Sequence, residues 1–163
     1  MTQQKRKVII LEGVDKTGKS TMAEKLLKAT PCSILIKHNR RELDNIKQVF
    51  TDMCLILRNI PGNAPIILDR FYPSQMVYSI LRGKEDLHNI FYKVLEQDML
   101  AHPTLKFEIV YCTAEDDIIR QRFYRDKEEY TKAGSIKMLL DRYEYFLKET
   151  KLKVHIYDTT KHG

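Results

Sequence analysis

The chain has 163 residues, of which 43% are hydrophobic and 31% charged, and its formal net charge is +6. These values fit one globular domain with a hydrophobic core. The three cysteines are widely spaced and form no C-x-x-C pair, which argues against a zinc site or a disulfide framework. No apolar run is long enough for a signal peptide or a membrane span, so we expect a cytoplasmic protein without a membrane partner.

The positive net charge suits an anionic partner. The phosphates of a nucleotide and the backbone of a nucleic acid are equally compatible with it, and so is an ordinary basic surface. Charge alone therefore leaves these three alternatives open.

A short apolar run at residues 8–11 leads into G-V-D-K-T-G-K-S at residues 13–20, and an amphipathic helix is predicted over residues 19–29. The glycine-rich stretch matches G-x-x-x-x-G-K-[ST] between a strand and a helix, which predicts a phosphate-binding loop. Glycines let backbone N–H groups converge, and the helix N-terminus adds positive potential. The predicted nucleotide-binding residues are Gly13, Asp15, Lys16, Thr17, Gly18, Lys19, Ser20 and Thr21.

Two residues of this loop have the chemistry that phosphoryl transfer needs. Lys19 is placed to contact a β- or γ-phosphate, and the hydroxyl of Ser20 is placed to bind Mg²⁺. The alternative is a purely structural glycine-rich turn between a strand and a helix.

Strands and helices alternate along the rest of the chain. Further strands are predicted at residues 33–37, 66–68, 107–111 and 154–157, and further helices at 40–59, 73–81, 84–101 and 135–148. Another helix is predicted after residue 111, capped by Thr113 with Asp116 at the capping-box position. This alternation predicts an α/β fold, in which helices cover both faces of a parallel sheet in a single domain spanning residues 1–163.

Charged residues at two further places complete the predicted chemistry. Asp69 and Arg70 follow the third strand, where an acid can organise a metal and an arginine can bind a second phosphate. Arg122 and Arg125 share one helix face and precede a polar segment, which predicts a lid at about 122–134 that closes over phosphates. Surface ion pairs and a plain charged helix are the alternatives.

The motifs carry a resemblance to one family. L-E-G-V-D-K-T-G-K-S-T at 11–21 resembles the E-G-x-D-x-x-G-K-S-T loop of thymidylate kinases. D-R-F-Y-P-S-Q-M-V-Y at 69–78 resembles their D-R-[YF]-x-x-S-x-x-A-Y segment, and R-F-Y-R at 122–125 is similar to the start of their lid. The resemblance implies a three-layer P-loop kinase fold with strand order 2-3-1-4-5, ATP and Mg²⁺ as cofactors, and a homodimer.

The resemblance also implies roles for single residues. On the acceptor side, Asp15 would bind the deoxyribose hydroxyl, Arg70 the 5′-phosphate, and Ser74 and Tyr78 the base and sugar. On the donor side, Lys19 and Ser20 would hold ATP and Mg²⁺, Asp69 would place metal or nucleophile, and Arg122 and Arg125 would neutralise the moving phosphoryl group.

The chain also departs from the family pattern. H-N-R-R at 38–41 replaces a T-R-E-P-type turn, L-I-L-R at 55–58 lacks the aromatic of the base-stacking F-x-A-x-R, and Ser79 stands where the family often has Gln. The chain is also shorter and lacks a final helix. These differences fit a compact, phage-like deoxynucleotide kinase. They leave open which base the acceptor carries and whether Lys16 shares the task of the lid arginines, the neutralisation of the moving phosphoryl group.

Three functions therefore remain to be weighed. The leading hypothesis is ATP-dependent transfer to a small-molecule acceptor, a deoxynucleoside monophosphate such as dTMP. The second is a related P-loop kinase that acts on a nucleoside or on a modified base in phage DNA. The third is a nucleotide-dependent switch or nucleic-acid-binding module without kinase activity, which the acceptor-side arginine disfavours.

Overall fold

The computed structural model describes residues 4–37, 46–78, 85–125 and 135–161. Its elements in chain order are β1 (Arg6–Glu12), α1 (Lys19–Ala29), β2 (Ile34–Lys37), α2 (Ile46–Asn59), β3 (Ile66–Asp69), α3 (Tyr72–Tyr78), α4 (Glu85–Leu100), β4 (Leu105–Thr113), α5 (Asp116–Arg125), α6 (Ile136–Glu149) and β5 (Lys153–Asp158). Within these four stretches, every helix is too short or too polar to cross a membrane.

The five strands form one parallel sheet in the order β2-β3-β1-β4-β5, which confirms the predicted order. The central strand β1 is buried on both faces, because its apolar residues do not alternate with polar ones. Leu11 of β1 lies beside Asp69 of β3, and Thr113 of β4 lies beside Asp158 of β5. The carboxyl ends of the strands therefore meet at one edge of the sheet, where α/β proteins bind ligands.

Helices cover both faces of the sheet, as predicted. On one face α1 packs Ala23 against Ile9 and Leu11 of β1. On the other face α2, α4 and α6 contribute Leu57, Met99 and Phe146 to a larger core. Burial on both sides fixes the strand ends rigidly, and this fixes the positions of the residues that follow them.

One predicted helix start is wrong. Thr113 is the last residue of β4 rather than a helix cap, and α5 begins at Asp116. The competing interaction is the sheet itself, because the carbonyl of Thr113 accepts a hydrogen bond from the backbone N–H of Thr159 at 2.7 Å. A residue engaged in the strand ladder cannot also begin the helix, and two residues of the chain separate the two elements.

Some predictions lie outside the described residues: the motif at 38–41, Ser79, the loop at 126–134 and parts of the helices predicted at 40–59, 73–81 and 84–101. The apolar stripe predicted for residues 40–59 is described in its second half, where Met53 and Leu57 are buried and Leu55 and Ile56 are half exposed. The homodimer stays a prediction.

Candidate nucleotide-binding site

The phosphate loop, residues 13–20, joins β1 to α1 and packs tightly against the end of β4. Gly13 has a φ of +145°, and a Cβ there would lie 2.3 Å from the carbonyl oxygen of Cys112. The hydroxyl of Thr17 donates to the carbonyl of Val14 at 2.6 Å across the loop. Glycine is thus required at position 13 both for the backbone conformation and for the space.

Lys19 begins α1 and folds back over the loop. Its Nζ donates to the carbonyl oxygen of Val14 at 3.1 Å. Burial and then the positive charge of Arg70 lower the pKa of Lys19 to about 8, against the opposing effect of Asp15, Glu12 and Asp69. The ammonium therefore lies where an added anion would relieve an unfavourable potential.

Arg70 follows β3 directly, and its backbone adopts the left-handed conformation with φ +67°. That conformation costs a non-glycine residue about 1–2 kcal/mol. It is held by a hydrogen bond from the N–H of Arg70 to the carbonyl of Leu11 at 3.0 Å. Strained backbone of this kind concentrates at functional sites, because it aims a side chain in a direction that regular structure does not allow.

The guanidinium of Arg70 brings together the predicted acceptor-side residues. It donates to Asp15 Oδ1 at 2.6 Å and to Ser74 Oγ at 2.9 Å, and it lies 5.3 Å from the ring centre of Tyr78. Asp15 belongs to the phosphate loop, whereas Ser74 and Tyr78 belong to α3. One cation therefore connects the phosphate loop with α3, and these two segments are the two walls of the candidate cleft.

Sequence reasoning missed two residues of this site, Glu12 and Tyr143. The carboxylate of Glu12 is buried at the end of β1 and accepts hydrogen bonds from Phe71 N at 2.8 Å, Ser74 Oγ at 2.5 Å and Tyr143 OH at 2.9 Å. Tyr143 also accepts a hydrogen bond from Arg70 Nη1 at 3.3 Å. An acidic residue ending an otherwise apolar strand was the available signal for Glu12, whereas Tyr143 is indistinguishable from core residues in the stripe of α6.

The environment of Glu12 contains opposing electrostatic effects. Complete burial raises the pKa of Glu12, while the nearby Arg70 and the three hydrogen-bond donors work in the other direction without cancelling it. A buried carboxylate is tolerated when its oxygens are satisfied in this way. Glu12 consequently needs all of its donors, and they fix α3 and α6 relative to the phosphate loop.

The two arginines of the predicted lid differ in their surroundings. Arg122 is buried, and its guanidinium donates to the carbonyl of Lys16 at 2.9 Å and to the carbonyl of Thr159 at 2.7 Å. Arg125 lies exposed at the end of α5. The rest of the predicted lid falls among residues 126–134, outside the described residues, so its closing stays a prediction.

Ser20 and Asp69 supply a hydroxyl and a carboxylate, the hard oxygen ligands that Mg²⁺ prefers. Ser20 is exposed at the start of α1, and Asp69 ends β3 beside Leu11. Across the described ranges, no three His, Cys, Asp or Glu residues are grouped so that they could hold a metal by themselves. The residues thus fit a Mg²⁺ shared with phosphate oxygens and water, rather than one enclosed by protein.

The sheet order and the phosphate loop define a P-loop nucleotide-kinase-like fold. The chain is 28% identical over 159 residues to the SPbeta prophage-derived uncharacterized protein YorR of Bacillus subtilis (strain 168), covering 93% of this chain and 88% of YorR. The crystal structure of YorR in complex with phosphorylated GDP matches with a TM-score of 0.70 at 27% identity, over 93% of this chain and 85% of that one. No protein-family model matches the chain.

Two more distant structures share the fold. Deoxyadenosine kinase from M. mycoides matches with a TM-score of 0.57 at 17% identity, over 93% of this chain and 90% of that one. Thymidylate kinase from Candida albicans matches with a TM-score of 0.57 at 20% identity, over 96% of this chain and 84% of that one. At such identities the likeness extends to the fold alone, and nucleotide phosphotransfer is the general chemistry that these neighbours share.

We predict that Tyr143→Phe lowers the free energy of unfolding by about 1–3 kcal/mol, because it removes a donor to the buried Glu12 carboxylate. Urea denaturation of the full chain measures the loss. The matched control is Tyr145→Phe on the same helix, whose residue is 63% exposed and whose substitution should change stability by less than about 0.5 kcal/mol. Equal effects of the two substitutions would contradict the importance of the Glu12 contacts.

Because the pKa of Lys19 is lowered to about 8, its positive charge is lost as the pH rises through that value. We predict that the affinity for inorganic tripolyphosphate falls roughly tenfold between pH 7 and pH 9, and that binding at pH 8 takes up about half a proton. Calorimetry in buffers of different ionisation enthalpy measures both. The Lys19→Arg variant stays charged and should show no such dependence, and an equally steep fall in that variant would assign the titration to another group.

Proposed function

We propose that the chain transfers the γ-phosphoryl group of ATP to a deoxynucleoside monophosphate, dTMP or a related nucleotide, giving the diphosphate. The single observation that carries this proposal is the position of Arg70. This partly buried cation is held by Asp15 of the phosphate loop and by Ser74 of α3, and its positive charge adds to burial in lowering the pKa of Lys19. Two cations so close together suit a reaction that brings two phosphate groups into one cleft.

On the donor side, the amides of the phosphate loop and the ammonium of Lys19 would bind the triphosphate. Ser20 and Asp69 would hold Mg²⁺ against its oxygens. In the structure Lys19 donates to the carbonyl of Val14. A phosphate oxygen would replace this carbonyl as the acceptor of the ammonium. Lys19 would then contribute to catalysis by stabilising the negative charge that develops during phosphoryl transfer.

On the acceptor side, the monophosphate would take the place that Asp15 occupies on Arg70. The two side chains form an ion pair of 2.6 Å, and the side chain of Asp15 is one-third exposed. A phosphate offers a guanidinium the same paired oxygens with more charge. Asp15 would then be released to accept a hydrogen bond from the sugar hydroxyl, with Ser74 and Tyr78 lining the sugar and base.

The relative YorR bears on the choice of nucleotide. Its structure was solved with phosphorylated GDP, and the protein derives from a prophage. Guanine nucleotides therefore belong in any substrate panel, both as donors and as acceptors. A phage role in deoxynucleotide supply is the corresponding biological proposal.

A nucleoside or a modified base in DNA is the second candidate acceptor. It is favoured by the net charge of +6 and by the absence of an aromatic residue at 55–58, where Leu55 and Ile56 are half exposed. Transfer of labelled phosphate to DNA or to nucleosides, but not to free monophosphates, would select it over the first candidate.

The test is nucleoside diphosphate formation from ATP or GTP with each deoxynucleoside and ribonucleoside monophosphate. We expect turnover with at least one acceptor and a KM for that acceptor roughly 100-fold higher in Arg70→Ala, with the KM for the donor little changed. The matched control is Arg120→Ala, because the side chain of Arg120 is 41% exposed and pairs with Asp116 on α5. The Arg120→Ala variant should have the same kcat and KM values as the unaltered chain.

Two outcomes would overturn the proposal. The first is hydrolysis of ATP without phosphorylation of any acceptor, which a nucleotide-dependent switch would show. The second is an Arg70→Ala variant that changes only the use of ATP, because Arg70 would then belong to the donor side.

A further inference from the structure

Arg122 contacts the phosphate loop from behind. It lies in the last turn of α5 and is 8% exposed. Its Nη1 donates to the carbonyl of Lys16 at 2.9 Å and to Thr159 Oγ1 at 3.0 Å, while its Nη2 donates to the carbonyl of Thr159 at 2.7 Å. Both terminal nitrogens of the guanidinium therefore donate hydrogen bonds to oxygen atoms of the protein.

Thr159 is the second residue of this arrangement and follows β5. Its backbone N–H donates to the carbonyl of Thr113 at 2.7 Å, which anchors it to the sheet. Its hydroxyl lies 2.9 Å from the carbonyl of Thr17 and 3.2 Å from that of Thr113, and its single proton serves one of them. A Cβ on Gly18 would come within 2.9 Å of its methyl group, so the loop lies directly on Thr159.

These contacts act on two consecutive peptide groups of the loop. The carbonyl of Lys16 shares a peptide plane with the N–H of Thr17, and the carbonyl of Thr17 shares one with the N–H of Gly18. In a trans peptide the C=O and N–H bonds point in opposite directions. Holding both carbonyls against Arg122 and Thr159 therefore turns the two N–H groups toward the opposite side of the loop.

We infer that Arg122 and Thr159 are positioning residues that hold the amides of Thr17 and Gly18 toward the donor polyphosphate. Converging amides are what makes a phosphate loop bind anions, and each is worth most when its direction is fixed before the ligand arrives. Arg122 thus acts through the backbone of the loop rather than by touching the transferred phosphoryl group. The inference rests on the proposed function only in so far as the loop binds a polyphosphate.

The test measures binding of inorganic tripolyphosphate by calorimetry, with no acceptor present. Thr159→Val keeps the shape of the side chain but loses the hydroxyl, and we expect roughly five- to tenfold weaker binding. Arg122→Lys keeps the charge but loses the fork, and we expect roughly 10- to 100-fold weaker binding. Thr159→Ser keeps the hydroxyl and should bind within about threefold of the unaltered chain.

Arg120→Gln is the matched control on the same helix, because Arg120 pairs with Asp116 at 3.0 Å and makes no contact with the loop among its hydrogen bonds. It should leave binding unchanged. Melting temperatures confirm that each variant is folded at the temperature of the titration. In turnover, Arg122→Lys should raise the KM for ATP while leaving kcat at saturating ATP, and the KM for the acceptor, within about threefold.

If Arg122 acted as a lid arginine, Arg122→Lys would lower kcat but leave the affinity for tripolyphosphate unchanged. This result would overturn the inference. Unchanged binding in Thr159→Val would overturn it as well. If the unaltered chain failed to bind tripolyphosphate, the inference and the proposed function would both be wrong. If tripolyphosphate bound as expected but no acceptor were phosphorylated, only the proposed function would fall.

Discussion

The buried carboxylate of Glu12 is the contact on which the rest of the site depends. It ends the central strand one residue before the phosphate loop, and its donors come from the start of α3 and from α6. A carboxylate taken out of water is costly unless every oxygen is satisfied, so the three segments cannot shift independently. The relative position of the two walls of the cleft is thereby set by a group that need not touch any ligand.

The two cations of the cleft are arranged around this carboxylate. Arg70 is paired with Asp15, whereas burial and then the positive charge of Arg70 lower the pKa of Lys19 to about 8 despite the nearby carboxylates. A negative charge added on the side of Lys19 would therefore stabilise its ammonium. On the side of Arg70, the proposed function requires that a ligand phosphate replace Asp15 in its ion pair with the guanidinium.

Much of the fold could be predicted from the sequence, because local pattern and global structure agree. The unbroken apolar character of β1 and the glycine spacing of the loop indicated a central parallel strand and a phosphate site, and the resemblance to thymidylate kinases supplied the strand order. Thr113 was assigned wrongly because a capping pattern is local, whereas its pairing with Asp158 joins distant segments. Contacts between residues that are far apart in the sequence cannot be predicted from the pattern of neighbouring residues.

The site shows the same division. Asp15, Arg70, Ser74 and Tyr78 could be named because they belong to contiguous motifs. Tyr143 could not be named, because its hydroxyl contacts Glu12, which lies 131 positions away in the chain. The burial of Arg122 could not be predicted either, because its partner Thr159 follows the last strand. The functions of these residues in turnover stay predictions, as does the lid over 126–134.

A crystal structure with a non-hydrolysable ATP analogue, Mg²⁺ and dTMP would test the central claim most directly. The account predicts two separate anions: a triphosphate on the amides of Thr17 and Gly18 and on Lys19 Nζ, and a monophosphate on Arg70 with Asp15 displaced from it. A phosphate loop without nucleotide, or an Arg70 turned away from the bound monophosphate, would contradict it.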